Sequence, residues 1–255
     1  MIITATEAQN NFGKYLRLCK HQNIIITRNG KREALLVPFP PGSEGSEICE
    51  QIYTYGTSPR KDPDWITYSR FMEICENSEN RYELIDGKVY LLASPKVSHQ
   101  RILGRMYVVF ADYFENSESC DTFMAPFDIK VVRYENREEP EEDILEFFTN
   151  VVQPDLLVIC DYEDDINEKD KYDGTATLVV EILSPSNRKK DMIKKLEMYS
   201  DTGIEEYWEV DPLSKTVSVY RFGEEDVESD VTYYGSQSAE SVRFEGLKVP
   251  LERLF

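Results

Sequence analysis

The sequence lacks the residue pairings that mark a metal or disulfide scaffold. Its five cysteines, Cys19, Cys49, Cys75, Cys120 and Cys160, are scattered and odd in number. No CxxC pair occurs, so neither a zinc site nor a disulfide framework is expected. Positive charge is also scarce: 48 acidic residues against 29 basic ones give a formal net charge of −19. Binding phosphate over a broad surface needs net positive charge, which argues against a general nucleic-acid coat but leaves room for a local basic site. Long apolar runs are missing too. The longest, such as "LLVIC" and "LVVEIL", fall far short of the roughly 20 residues that span a bilayer. The opening "MIITATEAQNN" has no basic start followed by an apolar stretch, so no signal peptide is expected. Together these absences fit a reducing, cytoplasmic setting. There is no internal repeat and no low-complexity tract.

What is present is enough apolar material for a sizeable core. The 255 residues are 41% hydrophobic and 12% aromatic, which suits one or two domains. Charge divides the chain. Residues 1–40 carry six Lys/Arg against two Glu, a net of +4, which leaves −23 for the remainder. Such asymmetry predicts two modules with different partners.

The first forty residues read as strand, helix and hairpin. Thr6 is placed as the N-cap, and Ala8, Phe12, Tyr15, Leu16 and Cys19 as the apolar stripe of the helix. Two apolar runs then flank "RNGK", and Asn-Gly is a strong hairpin signal. Forty residues support little core alone, so this unit is expected to dimerise or to lean on the rest. Residues 41–61, rich in Gly, Ser and Pro, read as a linker.

A mixed α/β domain is expected from residue 62 onward. "TYSRFMEICENS" predicts a helix capped by Thr67. "RYELIDGKVYLLA" predicts a hairpin around Asp86-Gly87. "SHQRILGRMYVVFADYFENS" predicts a helix packed through Ile102, Leu103, Met106, Val109, Phe110 and Tyr113. "TFMAPFDIKVV", "VQPDLLVIC" and "TATLVVEILS" each read as one strand. The acidic stretches "RYENREEPEEDILEF" and "DYEDDINEKDKYDG" read as solvated loops. "NRKKDMIKKLEMYSDTG" reads as a helix stopped by Gly203. "EEYWEVDP", "TVSVYRF" and "DVTYYG" read as later strands.

Two carboxylates interrupt this pattern. Asp155 opens one apolar strand and Glu181 sits inside another. If those strands are neighbours, the two acids meet at one edge of a sheet. Burying two carboxylates together is costly unless a cation joins them. Two hard oxygen donors beside solvent suit Mg²⁺, which takes one or two carboxylates and keeps several waters. Alternatively, Glu181 points outward or pairs with a lysine. On the following helix, a wheel started at Met192 puts Leu196, Tyr199 and Ile193 on the buried face. Lys195 falls on its shoulder beside Asp191, and Lys194 points to solvent. Lys195 is thus the lysine able to lean toward the sheet, where its ammonium would orient a water or offset phosphate charge. A plain Asp191–Lys195 helix pair is the competing reading.

The segments "YELIDGKVY", "SHQRILGRMYVVF", "QPDLLVI", "VVEILSPSNRKKDMIKKLEMY" and "GIEEYWEVDP" together resemble the Uma2 family over residues 62–255. That resemblance implies a restriction endonuclease-like α/β/α core of the PD-(D/E)XK type. It also implies Mg²⁺, with Mn²⁺ as a substitute, and phosphodiester hydrolysis in DNA. Asp155 would be the Asp of the "PD" motif and Glu181 the acid of the (D/E)XK motif. Leu183 stands where the plain motif has lysine, and the family's "D-x-x-x-K" on the next helix is matched by Asp191 and Lys195. Glu83 would be a further ligand or base. His99 stands at the family's helix-start histidine, with capping, packing and catalysis all open.

Residues 1–40 resemble the Phd/YefM antitoxins, which dimerise and bind operator DNA. Asn10, Asn11, Lys14 and Arg17 would then reach phosphates. The expectation is a homodimeric, metal-dependent DNA endonuclease. A non-catalytic DNA-binding or toxin–antitoxin-like regulator is the alternative.

Overall fold

The computed structural model describes residues 2–10, 15, 24–28, 31–36, 64–184, 190–223 and 227–255. It divides into two compact units, Met1–Thr57 and Ser58–Phe255.

In the first unit, β1 (Ile2–Thr4) leads directly into α1 (Ala5–Asn10). The helix begins one residue before Thr6, so Thr6 lies inside it and is not its cap. β2 (Ile24–Arg28) runs parallel to β1 and antiparallel to β3 (Lys31–Leu36). Ile3, Ala8 and Tyr15 form a small core with Ile26 against it. Thr27 Oγ1 donates to Ile3 O at 3.0 Å and ties β2 to β1. The Asn-Gly turn, Phe12, Leu16, Cys19, Asn11, Lys14, Arg17 and the linker at 41–61 lie outside the described residues, as does the side chain of Asn10.

The second unit is built on two sheets. A six-stranded sheet has the order β13-β12-β11-β10-β9-β6 and a four-stranded sheet the order β5-β4-β8-β7. The large sheet comprises β6 (Cys120–Met124), β9 (Leu156–Cys160), β10 (Leu178–Ile182), β11 (Glu206–Asp211), β12 (Thr216–Phe222) and β13 (Val227–Tyr234). The small sheet comprises β4 (Tyr82–Ile85), β5 (Lys88–Leu91), β7 (Ile129–Val131) and β8 (Asn150–Val152). β14 (Ser238–Glu240) and β15 (Lys248–Pro250) form a separate ribbon. The helices of this unit are α2 (Tyr68–Glu76), α3 (Val97–Phe114), α4 (Glu141–Asp143), α5 (Lys190–Ser200) and α6 (Leu251–Leu254).

Strand alternation sorts the large sheet's residues between its two faces. Leu156, Val158, Leu178, Val180, Trp208 and Val210 pack with Ile102, Leu103, Met106, Phe110 and Phe114 of α3. Leu157, Ile159, Val179 and Tyr207 pack with Met198 and Tyr199 of α5. The result is an α/β/α core of the expected restriction endonuclease-like class. β10 and β11 are parallel, joined through α5; the other pairs are antiparallel.

Several local expectations need correction. "TFMAPFDIKVV" is two strands, because residues 125–128 carry the chain from the large sheet (β6) to the small one (β7); Pro126 has no N–H for a ladder. "VQPDLLVIC" divides in the same way: β8 belongs to the small sheet and β9 to the large one, with Gln153-Pro154-Asp155 between them. Tyr113 is 39% exposed, and Phe114 takes the buried place. The acidic stretch 133–147 does not simply loop into solvent. It carries short helical turns, and there Phe147 O accepts from Trp65 Nε1 while Glu146 accepts from Ser69 Oγ.

The expectation of no disulfide fails as well. Cys120 and Cys160 stand opposite each other in the β6–β9 register and are bridged. Forty residues separate them in sequence, so a count of local motifs passes over the pair. Cys75 is a free thiol. The scatter of cysteines therefore carries no information about compartment. Among the described residues, no helix is long and apolar enough to cross a membrane.

Candidate active site

The site forms where the two sheets meet. The hairpin β4–β5 is fixed first. Asp86 and Gly87 turn it with φ of 47° and 66°, and a side chain at Gly87 would run into the Trp65 ring. Asp86 is gripped by the buried Arg133 through Nε and Nη2, at 3.0 and 2.9 Å, and its own N–H donates to Asn150 Oδ1. This anchors β4, and β4 carries Glu83. The Glu83 side chain is only 3% exposed, and its Oε1 accepts from the Gln153 N–H at 3.0 Å.

Asp155 and Glu181 come from neighbouring strands. The β9–β10 register pairs Leu156 with Val180 and Leu157 with Val179, so its next step sets Asp155 opposite Glu181. Asp155 is two residues from Leu157 and Glu181 two from Val179, which places both acids on the α5 face. Asp155 Oδ2 accepts from the Ile182 N–H at 2.7 Å and contacts His99 Nε2 at 3.1 Å. Glu181 Oε1 accepts from Lys195 Nζ at 2.7 Å and from Tyr199 Oη at 2.8 Å. Lys195 Nζ also donates to Glu83 Oε1 at 3.0 Å. The remaining oxygens, Asp155 Oδ1 and Glu181 Oε2, accept no hydrogen bond from a described residue. Glu83, His99, Asp155, Glu181 and Lys195 line a cleft of about 410 Å³ that also holds Arg81, Lys96 and Tyr90.

Lys195 does not sit on the shoulder of its helix. Met198 and Tyr199 are fully buried, Leu196 is half-buried, and the Lys195 side chain is 14% exposed. Lys195 therefore lies within the buried face, which the wheel had centred too far toward Leu196. The side chains of Asp191, Met192, Ile193 and Lys194 lie outside the described residues.

Electrostatics follow from this crowding. Burial pushes the Glu181 carboxyl up to about 7; Lys195 opposes the shift, while the charges of Asp155 and Glu83 add to it. For Lys195, burial works against the charge, but Glu181 and Glu83 outweigh it and hold the ammonium well above the usual lysine range. Lys195 is thus a fixed cation and not a base. Burial followed by the charge of Glu181 raises Tyr199 well above an ordinary phenol, so it stays a donor.

Sequence reasoning missed two members. Tyr199 is one helical turn after Lys195 and shares its i, i+4, i+8 stripe with Asp191, but the stripe does not reveal that Tyr199 and Lys195 reach one acid. Gln153 acts through its backbone N–H, which no side-chain motif reveals. Glu83, Asp155, Glu181 and Lys195 are brought together. His99 joins them through Asp155, and it does not cap: the N-cap of α3 is Lys96, with no side-chain cap bond.

The residues present suit a Mg²⁺ ion. Among the described residues, no three His, Cys, Asp or Glu are grouped to hold a metal ion. Two carboxylates with one uncommitted oxygen each match an ion that takes one or two carboxylates and keeps its waters.

Comparison with known proteins agrees with this fold. A family model described as "Uma2: Putative restriction endonuclease" matches residues 68–252, and one described as "Antitoxin Phd_YefM, type II toxin-antitoxin system" matches residues 1–40. A Synechocystis protein named "Uncharacterized protein slr1290" is 23% identical over 146 residues, covering 57% of this chain and 68% of its own. A solved structure titled as "a putative nuclease belonging to DUF820", from Anabaena variabilis, superposes with a TM-score of 0.58 at 19% identity. It covers 74% of this chain and 97% of its own, a likeness of fold. With most of its length matched, the chain belongs to the Uma2 family.

Proposed function

We propose that residues 62–255 form a Mg²⁺-dependent endonuclease that hydrolyses phosphodiester bonds in DNA. One observation carries this reading: Asp155 and Glu181 meet across β9 and β10, each with an uncommitted oxygen, beside the fixed cation Lys195. Asp155 and Glu181 would hold the ion. When bound, Mg²⁺ (or Mn²⁺ in its place) supplies Lewis-acid charge to a phosphoryl oxygen and lowers the pKa of a bound water.

The chain's own residues do the rest. Lys195 offsets negative charge as it grows on the phosphate oxygens. Glu83 and Tyr199 keep that ammonium and Glu181 in fixed orientation, so little reorganisation remains for the reaction itself. Arg81 and Lys96 in the cleft would hold flanking phosphates, which position the strand without reading its bases. Water adds to phosphorus, one bond from phosphorus to a sugar oxygen breaks, and that oxygen leaves with a proton.

Residues 1–40 are proposed as the module for dimerisation or DNA targeting, joined by a linker at 41–61. Its net charge of +4 and its match to antitoxins support this. Asn10, Asn11, Lys14 and Arg17 would contact phosphates. In the full chain, Lys14→Ala with Arg17→Ala should weaken a DNA mobility shift without changing the sedimenting mass.

The test is cleavage of supercoiled and linear DNA with Mg²⁺ or Mn²⁺. Wild type should cut, EDTA should stop it, and Asp155→Ala and Glu181→Ala should lose on the order of 100-fold or more in rate. Equal cutting by Asp155→Ala, or no cutting by wild type, overturns the reading.

A further inference from the structure

Asp155 is held from two directions. The Ile182 N–H reaches its Oδ2 from β10, and His99 Nε2 reaches the same oxygen from α3, at 2.7 and 3.1 Å. An ionised carboxylate only accepts, so Nε2 must carry the hydrogen. The other ring nitrogen, Nδ1, is buried with no partner among the described residues. An orphaned buried polar atom is destabilising, and an apolar side chain of similar bulk would avoid it. Packing alone therefore does not account for a histidine here. Capping does not either, because α3 starts at Val97 after an N-cap at Lys96. What the ring gains is its contact with Asp155.

That contact has a consequence for the cleft. With two donors on Oδ2, turning the carboxylate would break both bonds, so Oδ1 is the oxygen left to present. The two acids are thus oriented by helices on opposite faces of the sheet. Glu181 is set by Lys195 and Tyr199 of α5; Asp155 is set by His99 of α3.

We infer that His99 is a positioning residue, whose Nε2–H bond to Asp155 Oδ2 fixes the carboxylate so that Oδ1 faces the divalent cation. The inference rests on the nuclease reading. Partners that orient a ligating carboxylate typically contribute 10–100-fold in metal affinity.

Two measurements on the full chain test it. The first needs no metal: at alkaline pH, where the imidazole is neutral, its nitrogen NMR should show the Nε2–H form, with Nδ1 bare. An Nδ1–H tautomer overturns the inference without any variant. The second is calorimetric titration with Mn²⁺. His99→Leu should bind about 10–100-fold more weakly than wild type, and His99→Gln, which keeps one donor, should recover most of that loss. If His99→Leu binds like wild type, or His99→Gln falls equally far, His99 is structural only. If wild type itself binds no Mn²⁺, it is the nuclease reading that fails.

Discussion

Glu206 and Glu181 sit on the paired strands β11 and β10, yet their surroundings differ. Glu206 is fully buried, and both its oxygens are used. Oε1 accepts from Trp208 Nε1; Oε2 accepts from Ser241 Oγ and from the N–H groups of Val242 and Arg243. It pins the loop before β15 to the sheet. Glu181 has both donors on one oxygen, two other carboxylates nearby, and a carboxyl pushed up to about 7 by burial. A fully satisfied buried carboxylate belongs to the scaffold. A partly satisfied one, open to a cleft, is where a cation has something to gain.

The comparison can be broken by mutation. Glu206→Ala strands four donors and should lower unfolding stability by about 3–5 kcal/mol, read by urea titration, with Mn²⁺ affinity unchanged. Lys195→Met leaves Glu83 and Glu181 facing each other without a cation. It should cost about 3 kcal/mol at pH 8 and less at pH 5, where Glu181, pushed up to about 7, is protonated. Glu181→Ala should do the opposite of Glu206→Ala, abolishing Mn²⁺ binding while leaving stability level or slightly higher.

The pH response sharpens the same contrast. Glu181 and Glu209 are both raised from 4.5 to about 7, Glu181 as described above and Glu209 by burial and then by Asp211. Between those values the folded chain holds more protons than the unfolded one, so stability falls as pH rises. The contribution is fully present below pH 4.5 and lost as pH passes 7. Between pH 5 and pH 8 the loss should be about 2–3 kcal/mol per group in the absence of divalent cation. Glu181→Gln should remove its share, and Mn²⁺ at pH 8 should restore part of it in wild type. The smallest effect is expected for Tyr199→Phe. It removes one donor to Glu181, should cost about 1 kcal/mol, and should weaken cleavage less than Lys195→Met.

Much of this was legible from residue patterns, and the failures have physical causes. The Thr67 cap, the Asp86-Gly87 hairpin and the helix at 97–114 rest on local signals, and the structure has them. Asp155 and Glu181 stood out because carboxylates in apolar runs are costly. The breaks at 125–128 and 153–155 were hidden because an apolar run does not say which sheet it joins. Cys120 and Cys160 are distant in sequence and adjacent only through strand pairing. Lys195 was found, but its depth depends on how α5 rolls against the sheet, which a wheel does not fix. The ring of His99 could be assigned no task until Asp155 was seen beside it.

The most direct test is an anomalous diffraction map from crystals soaked in Mn²⁺. The account predicts one peak in the cleft, contacting Asp155 Oδ1 and Glu181 Oε2, with Lys195 still on Glu181 Oε1. A map with no peak between those two carboxylates, at a Mn²⁺ concentration that supports cleavage, would contradict it.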